Sequence, residues 1–348
     1  MRAKSFVKNY LNYSVVAIFA IICTVLSLSG LASRNMLPLF EKITIAAILA
    51  VSLSMVVGFL GELSLGHAGF MCVGAFIGGK VSAILAPVMG GKDSLVVLII
   101  SVLVGACVAA VFGFIIGLPA LRLRGDYLAI VTLAFGEIVR TVIMNLPPEL
   151  FGGTLGLETP RFSNKKLFIV GFAFLLICLA VTQNLIKSKH GRAITAIRDN
   201  EIAARAMGID ITKYKLLVFT ISSAFAGVAG VLFSYTMSRV QSSTFDYNYS
   251  IEILVVVVLG GMGSINGSLI AAALITWLRN LLQIKLGGDL AVLQDLFFAL
   301  ILIVFVIYRN APGLKNFREK YNFQRLIERI KQRKAKKTKV NTAEKEDN

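Results

Sequence analysis

Apolar runs long enough to cross a bilayer recur along the chain, near residues 12–33, 43–60, 63–80, 94–117, 127–146, 166–186, 216–236 and 291–308. A spanning helix needs about 20 predominantly apolar residues, and in lipid only a helix or a closed barrel satisfies every backbone N–H and C=O. Repeated runs of this length therefore specify an all-α, polytopic transmembrane bundle. Composition agrees, because 56% of the residues are hydrophobic and 16% are charged, against about 25% charged in soluble domains. No block before the carboxyl-terminal stretch is polar enough to fold separately. The organisation expected is a transmembrane domain over residues 1–310 and a basic cytoplasmic tail over 311–348.

One region breaks the pattern. Ile251 to Leu282 is a 32-residue run, which as a single helix would be about 48 Å long against a hydrocarbon core of about 30 Å. Its middle reads "LGGMGSINGS", Leu259 to Ser268, where four glycines with Ser264, Asn266 and Ser268 break helices and offer unpaired backbone groups. Two shorter helices meeting in a turn are expected.

Charge gives an independent check. The loop 187–215 carries seven Lys/Arg, so it belongs on the cytoplasmic side. Counting outward places the amino terminus and the "LRLRGD" turn (Leu121 to Asp126) inside and residues 237–250 outside. The tail from Arg309 holds 13 Lys/Arg against 5 Asp/Glu, so it too belongs inside. That requires three crossings after residue 250, hence a broken 251–282 and about ten segments in all. A second glycine-rich interruption, "GFLGELSLGHAGF" from Gly58 to Phe70, completes a pair. Paired interruptions point to an internally repeated transporter architecture with its pathway between the repeats. Gly66, His67, Gly260, Gly261, Gly263, Ser264 and Asn266 are the candidate pathway residues.

The net charge of +17 would raise nucleic acid as a partner of a soluble protein. Here the tail supplies +8 of it and no zinc-finger or RNA-binding signature accompanies it, so membrane lipid is the partner expected. "NFREKYNFQRLIERIKQRK", Asn316 to Lys334, has the pattern of a helix lying along the membrane surface. The four cysteines, Cys23, Cys72, Cys107 and Cys178, lie far apart in apolar runs and read as small buried hydrophobes. Arg2, Lys4 and Lys8 before Tyr13 to Ala32 resemble a signal peptide, but an apolar stretch of about 20 residues suits an uncleaved first helix better.

Within the basic loop, Asn200 suits an N-cap, Glu201 the positive end of a helix dipole, and Gly208 a left-handed stop. They frame a helix from Glu201 to Met207. Glu201 and Arg205 share its solvent face at i, i+4, while Ile202, Ala203, Ala206 and Met207 form the opposite apolar face. So short a helix is marginal alone in water. It needs a surface, which is either this protein's own cytoplasmic face, the lipid headgroups, or a cytoplasmic partner.

"IAARAMG", Ile202 to Gly208, resembles the coupling-loop motif of ATP-binding-cassette importer permeases, with Glu201 one place before the position where that motif usually has its glutamate. "LSLGHAGFMCVGAF", "LRLRGDYLAIVTLAFGEIVR", "GRAITAIRDNEIAARAMGID" and "VVLGGMGSINGS" extend the likeness from Leu63 to Ser268. Together they are similar to the LivM-type permeases of high-affinity branched-chain amino acid importers. The resemblance implies a multi-pass subunit of a bacterial inner membrane, paired with a LivH-like second permease, two cytoplasmic ATPases and an external substrate-binding protein. It also implies an ATPase-coupling role for Glu201, Ile202, Ala203, Ala204, Ala206, Met207 and Gly208. Urea and amide permeases are similar enough to keep the cargo open.

No ATPase is expected within this chain. "GAFIGGK", Gly74 to Lys80, matches a phosphate-binding loop in outline, but Val81 follows where Ser or Thr must hold magnesium, and the segment is an apolar helix. No cofactor and no enzyme activity are expected. The two histidines, His67 and His190, support neither a zinc cluster nor a hydrolase triad. Charges near or within the spans are Glu62, Asp126, Glu137, Arg140, Glu252 and Arg279. Glu137 and Arg140, at i, i+3, are read as neutralising each other, and His67 as satisfying backbone groups freed in a broken segment. The rival function is a proton-coupled secondary transporter in which His67, Glu62 and Glu252 titrate.

Overall fold

The computed structural model describes residues 36–285 except 90, 92–93, 124, 161 and 163–166, together with 296, 297, 299, 300 and 303. The chain divides into two units, Met1–Asn280 and Leu281–Asn348, and all packing below lies within the first. The expected first span at 12–33, the tail with its surface helix, and the boundary at 310 fall outside the described residues, as does nearly all of the expected span at 291–308.

Each remaining apolar run forms a helix. α1 (Met36–Ser54) continues as a π-helical turn, Met55–Leu60. α2 (His67–Leu85), α3 (Leu95–Ala120), α4 (Asp126–Asn145), the short α5 (Pro148–Phe151) and α6 (Leu167–Lys187) follow. The basic loop contributes α7 (Lys189–Asp199) and α8 (Glu201–Ala206), and α9 runs from Ile211 to Thr236. α10 (Tyr247–Gly260) and α11 (Ile265–Lys285) replace the overlong run. Seven of these helices, the first counted with its π turn, have the length and apolarity to cross a membrane among the described residues, and α10 is shorter. The break expected between Leu259 and Ser268 is present at Gly261–Ser264, with Gly261 and Gly263 at φ of 99° and 81°. The only strands among the described residues are two-residue pieces, β1 (Leu157–Glu158) and β2 (Arg239–Val240), paired antiparallel and joined by an Arg239–Glu158 ion pair. They mark the end of the bundle opposite α7 and α8.

Glycine decides which helices approach most closely. A Cβ on Gly74 of α2 would run into the backbone of Gly227 on α9, and one on Gly227 would lie 2.5 Å from the Ala109 Cβ of α3. One on Gly69 would lie 2.6 Å from Gly136 Cα of α4. Small residues let backbones pack closely where lipid supplies no hydrophobic drive between helices. The glycines of "GAFIGGK" thus belong to a helix-packing surface inside α2, as their apolar setting implies.

Among the described spans α1 with its π turn is the most enclosed, with 89% of its apolar window buried. It is tied to α9 by Ser222 Oγ donating to the Ser52 carbonyl at 2.6 Å, and to α6 by Thr182 Oγ1 at 3.4 Å from Met55 Sδ. The outward faces of α3 and α4 carry exposed Val96, Leu103, Ile115, Ile130 and Ile138, which suits a lipid-embedded surface. Cys72 and Cys178 are buried as expected, whereas Cys107 is exposed on α3. Apolarity alone does not tell the inner face of a lipid-embedded helix from the outer one.

Candidate functional site

α8 is built as its sequence dictates. The Asn200 side-chain oxygen accepts from the Ala203 N–H at 3.0 Å, which caps the first turn. Gly208, at φ 80°, ends the helix, its N–H donating to the Arg205 carbonyl at 3.0 Å while Ile209 N–H donates to Ala204 at 3.1 Å. Asp210 then caps α9 by accepting from the Lys213 N–H at 3.1 Å. Only Gly, without a Cβ, takes this left-handed turn without strain.

The faces of α8 differ in part from those expected. Ala204 is buried against the protein's own body, so it does not share the outward surface with the other motif residues. Ile202 and Met207 are 76% and 81% exposed, and Ala203 and Ala206 are exposed beside them. Glu201 does not lie on a free solvent face. Its carboxylate reaches Arg205 at 3.3 Å, as the i, i+4 spacing predicts, and also the Lys215 ammonium at 3.3 Å. Lys215 lies in the second turn of α9, with its side chain only 3% exposed, and is paired with Glu62 as well. A buried ammonium must be paired, and Lys215 is met by two carboxylates, Glu62 and the inward-facing Glu201.

Sequence reasoning missed α7. Its N-cap is Ser188, whose Oγ accepts from His190 and Gly191 N–H at 3.1 and 3.3 Å. Gly191, Ile194 and Ile197 are its buried stripe. The signal was present in Ser188 and in the i, i+3 isoleucines, but the surrounding charges obscured it. Arg198, near the end of α7, donates from Nη1 to the Gly58 carbonyl at 3.3 Å.

The two interruptions meet next to that arginine. Gly58 lies in the π turn, and a Cβ there would collide with the Gly263 backbone in the turn between α10 and α11. A Cβ on Gly263 would lie 3.8 Å from Arg198 Nη1. Gly260 packs against the Ser268 backbone, Ser264 Oγ accepts from the Gly267 N–H at 3.2 Å, and Ser264 and Asn266 are exposed.

The other candidate pathway residues sit elsewhere. Gly66 packs on the Thr132 backbone of α4. His67, 2% exposed, lies 2.9 Å through Nε2 from Ser52 Oγ of α1. Its partner is therefore a hydroxyl and not one of the backbone groups freed by the break. Two of those are met by other side chains: Leu65 N–H donates to Thr132 Oγ1 at 3.0 Å and Ala68 N–H to Ser250 Oγ at 3.1 Å. Glu137 and Arg140 pair at 2.8 Å, as their spacing suggests. Glu252 pairs with Arg279 across the α10–α11 hairpin, a partnership that spacing along one helix does not announce. Among the described residues no group of three or more His, Cys, Asp or Glu is placed to hold a metal.

With this geometry in view, comparison with known proteins is decisive. Residues 35–307 match the family described as branched-chain amino acid transport system / permease component. The chain belongs to this family. The LivM permease protein of the high-affinity branched-chain amino acid transport system of Salmonella typhimurium is 37% identical over 286 residues, covering 73% of this chain and 65% of the relative. The Escherichia coli LivM protein is 36% identical with the same coverage, so the chain spans just under two thirds of these relatives' length. The ribose import permease protein RbsC of Escherichia coli is 27% identical over 85% of this chain and 92% of its own length. No solved structure matches. Family and apolar helices together make this a multi-pass membrane protein.

Proposed function

We propose that this chain is a permease subunit of an ATP-driven importer that moves branched-chain amino acids across a bacterial inner membrane. α8 docks on a cytoplasmic ATPase in this reading, and the end carrying α7 and α8 faces the cytoplasm, as the seven Lys/Arg of residues 187–215 favour. Both chain termini lie inside. A LivH-like permease completes the membrane pathway, two ATPases hold and hydrolyse the ATP, and an external binding protein delivers the cargo. The chain itself binds no cofactor.

One observation carries the reading. α8 has six residues, far fewer than a helix needs to persist alone, yet it is fastened from behind through Ala204 and Glu201 while Ile202 and Met207 stand more than three-quarters exposed. Apolar side chains held out by a braced helix suit a groove in a partner. Identity of 37% to LivM against 27% to RbsC favours amino acids over a sugar. The proton-coupled alternative is weakened because Glu62 and Glu252 are each paired with a cation and His67 is bonded to Ser52.

The test is ATPase recovery on pulling down a tagged chain from membranes, together with uptake of radiolabelled leucine. Ala203→Glu should abolish both while insertion stays normal, since it carries an unpaired charge into the docked surface. Normal recovery and uptake in that variant would refute the docking of α8.

A further inference from the structure

We propose that Lys215 is a positioning residue: with Glu62 and Arg198 it ties the docking helix to both glycine interruptions, so that displacement of α8 moves the breaks in the membrane segments. The proposal rests on the docking of α8 argued above and adds how that docking is transmitted. Lys215 holds Glu201, the first residue of α8, at 3.3 Å and is at the same time paired with Glu62. Glu62 immediately follows Gly61, the left-handed residue at φ 80° that ends the π turn. One ammonium therefore joins the docking helix to the exit of α1. Arg198, two residues before the α8 cap, bonds the Gly58 carbonyl in the same π turn and lies beside Gly263. Gly58 and Gly263 are in backbone contact, so the two interruptions move together or separate as a pair.

Burial makes the arrangement informative. The side chains of Lys215 and Glu62 are 3% and 12% exposed, and a shielded ion group of this kind is often no more stable than apolar packing of the same volume. It offers instead a directional linkage between segments. The π turn is a further sign, because such turns concentrate at functional sites, and Arg198 takes hold of a carbonyl within it. The apolar face of α8, with Ile202, Ala203, Ala206 and Met207, points away from this linkage. Recruitment of the ATPase and transmission of its movement are thus separable by mutation.

The experiment uses the whole importer, reconstituted in proteoliposomes with its ATPases and binding protein, and reads leucine transported per ATP hydrolysed. Glu62→Gln keeps the Lys215–Glu201 contact and loses only the charge at the π-turn exit. It should leave ATPase recovery in the pull-down at the wild-type level and lower transport per ATP about tenfold, within the range by which single residues alter coupling between sites. Lys215→Arg, which keeps the charge, should retain most of the coupling. The double exchange Glu62→Lys with Lys215→Glu restores an ion pair within the body but sets a carboxylate at 215 against Glu201. It should therefore fail to restore coupling, whereas a merely structural pair would be rescued. Wild-type transport per ATP in Glu62→Gln, rescue by the double exchange, loss of ATPase recovery in Glu62→Gln, or failure of both Glu62→Gln and Lys215→Arg to insert would each overturn the proposal. An Ala203→Glu variant that still recovers ATPase would instead overturn the docking reading alone.

Discussion

α7 and α8 are consecutive helices in one basic loop, separated by a single residue, and each is capped by a polar side chain, Ser188 and Asn200. They spend their apolar residues in opposite ways. α7 turns Ile194 and Ile197 inward, at 2% and 4% exposure, and is part of the protein's own core. α8 turns only Ala204 inward and leaves Ile202 and Met207 outside. Local sequence chemistry does not separate the two, since both pair a good N-cap with helix-forming residues. What separates them is which face the next segment covers. Glu201 faces Lys215 and Ala204 is buried on the same side of α8 at i, i+3, so its larger apolar side chains remain outside.

The contrast predicts two different kinds of failure from the same substitution chemistry. Ile194→Glu puts an unpaired carboxylate into the body, at a cost on the order of 3–5 kcal/mol, and the chain should fail to accumulate in membranes when assayed by immunoblot. Ala203→Glu should accumulate normally and fail only in ATPase recovery. Equal accumulation of both variants would erase the distinction between the helices.

Next in size is Gly208→Val. Its Cβ would meet nothing within 4 Å, so the whole effect is the strain of φ 80°, about 1–3 kcal/mol. Leucine uptake should fall severely with normal accumulation, and unaffected uptake would show that the turn after α8 tolerates another conformation. Asn200→Ala removes the bond to the Ala203 N–H and costs about 1 kcal/mol. A partial loss of ATPase recovery is expected, whereas the matching Ser188→Ala on α7 should leave recovery unchanged because packing holds that helix. Smallest is Arg205→Ala. Its side chain is 67% exposed in an i, i+4 pair, which contributes about 0.3–0.5 kcal/mol, and uptake should stay close to wild type.

Much of this architecture was legible because lipid constrains length so strongly. The run from Ile251 to Leu282 had to break, and its glycines marked where, so the α10–α11 hairpin follows from length and composition. Asn200 and Gly208 likewise framed α8 to within a residue. Side-chain partnerships across long stretches of sequence were not legible. Lys215 and Glu62 lie 153 positions apart, and no periodicity links them. α9 also begins earlier than hydropathy suggests, at Ile211 in place of 216, because Asp210 caps it there and the first turns carry charged residues that a hydropathy run leaves out. His67 shows the same limit: its burial beside a break was readable, but its Ser52 partner was not.

The most direct measurement of the central claim is site-specific cross-linking from Met207. In a variant lacking Cys23, Cys72, Cys107 and Cys178, a single cysteine at Met207 is coupled to a short thiol-linked photoreagent and illuminated in membranes containing the assembled importer. The same is done at Leu155, which is 68% exposed at the end of the bundle carrying β1 and β2. The account predicts an adduct with the ATPase from Met207 and none from Leu155. No ATPase adduct from Met207, or equal adducts from both positions, would contradict it.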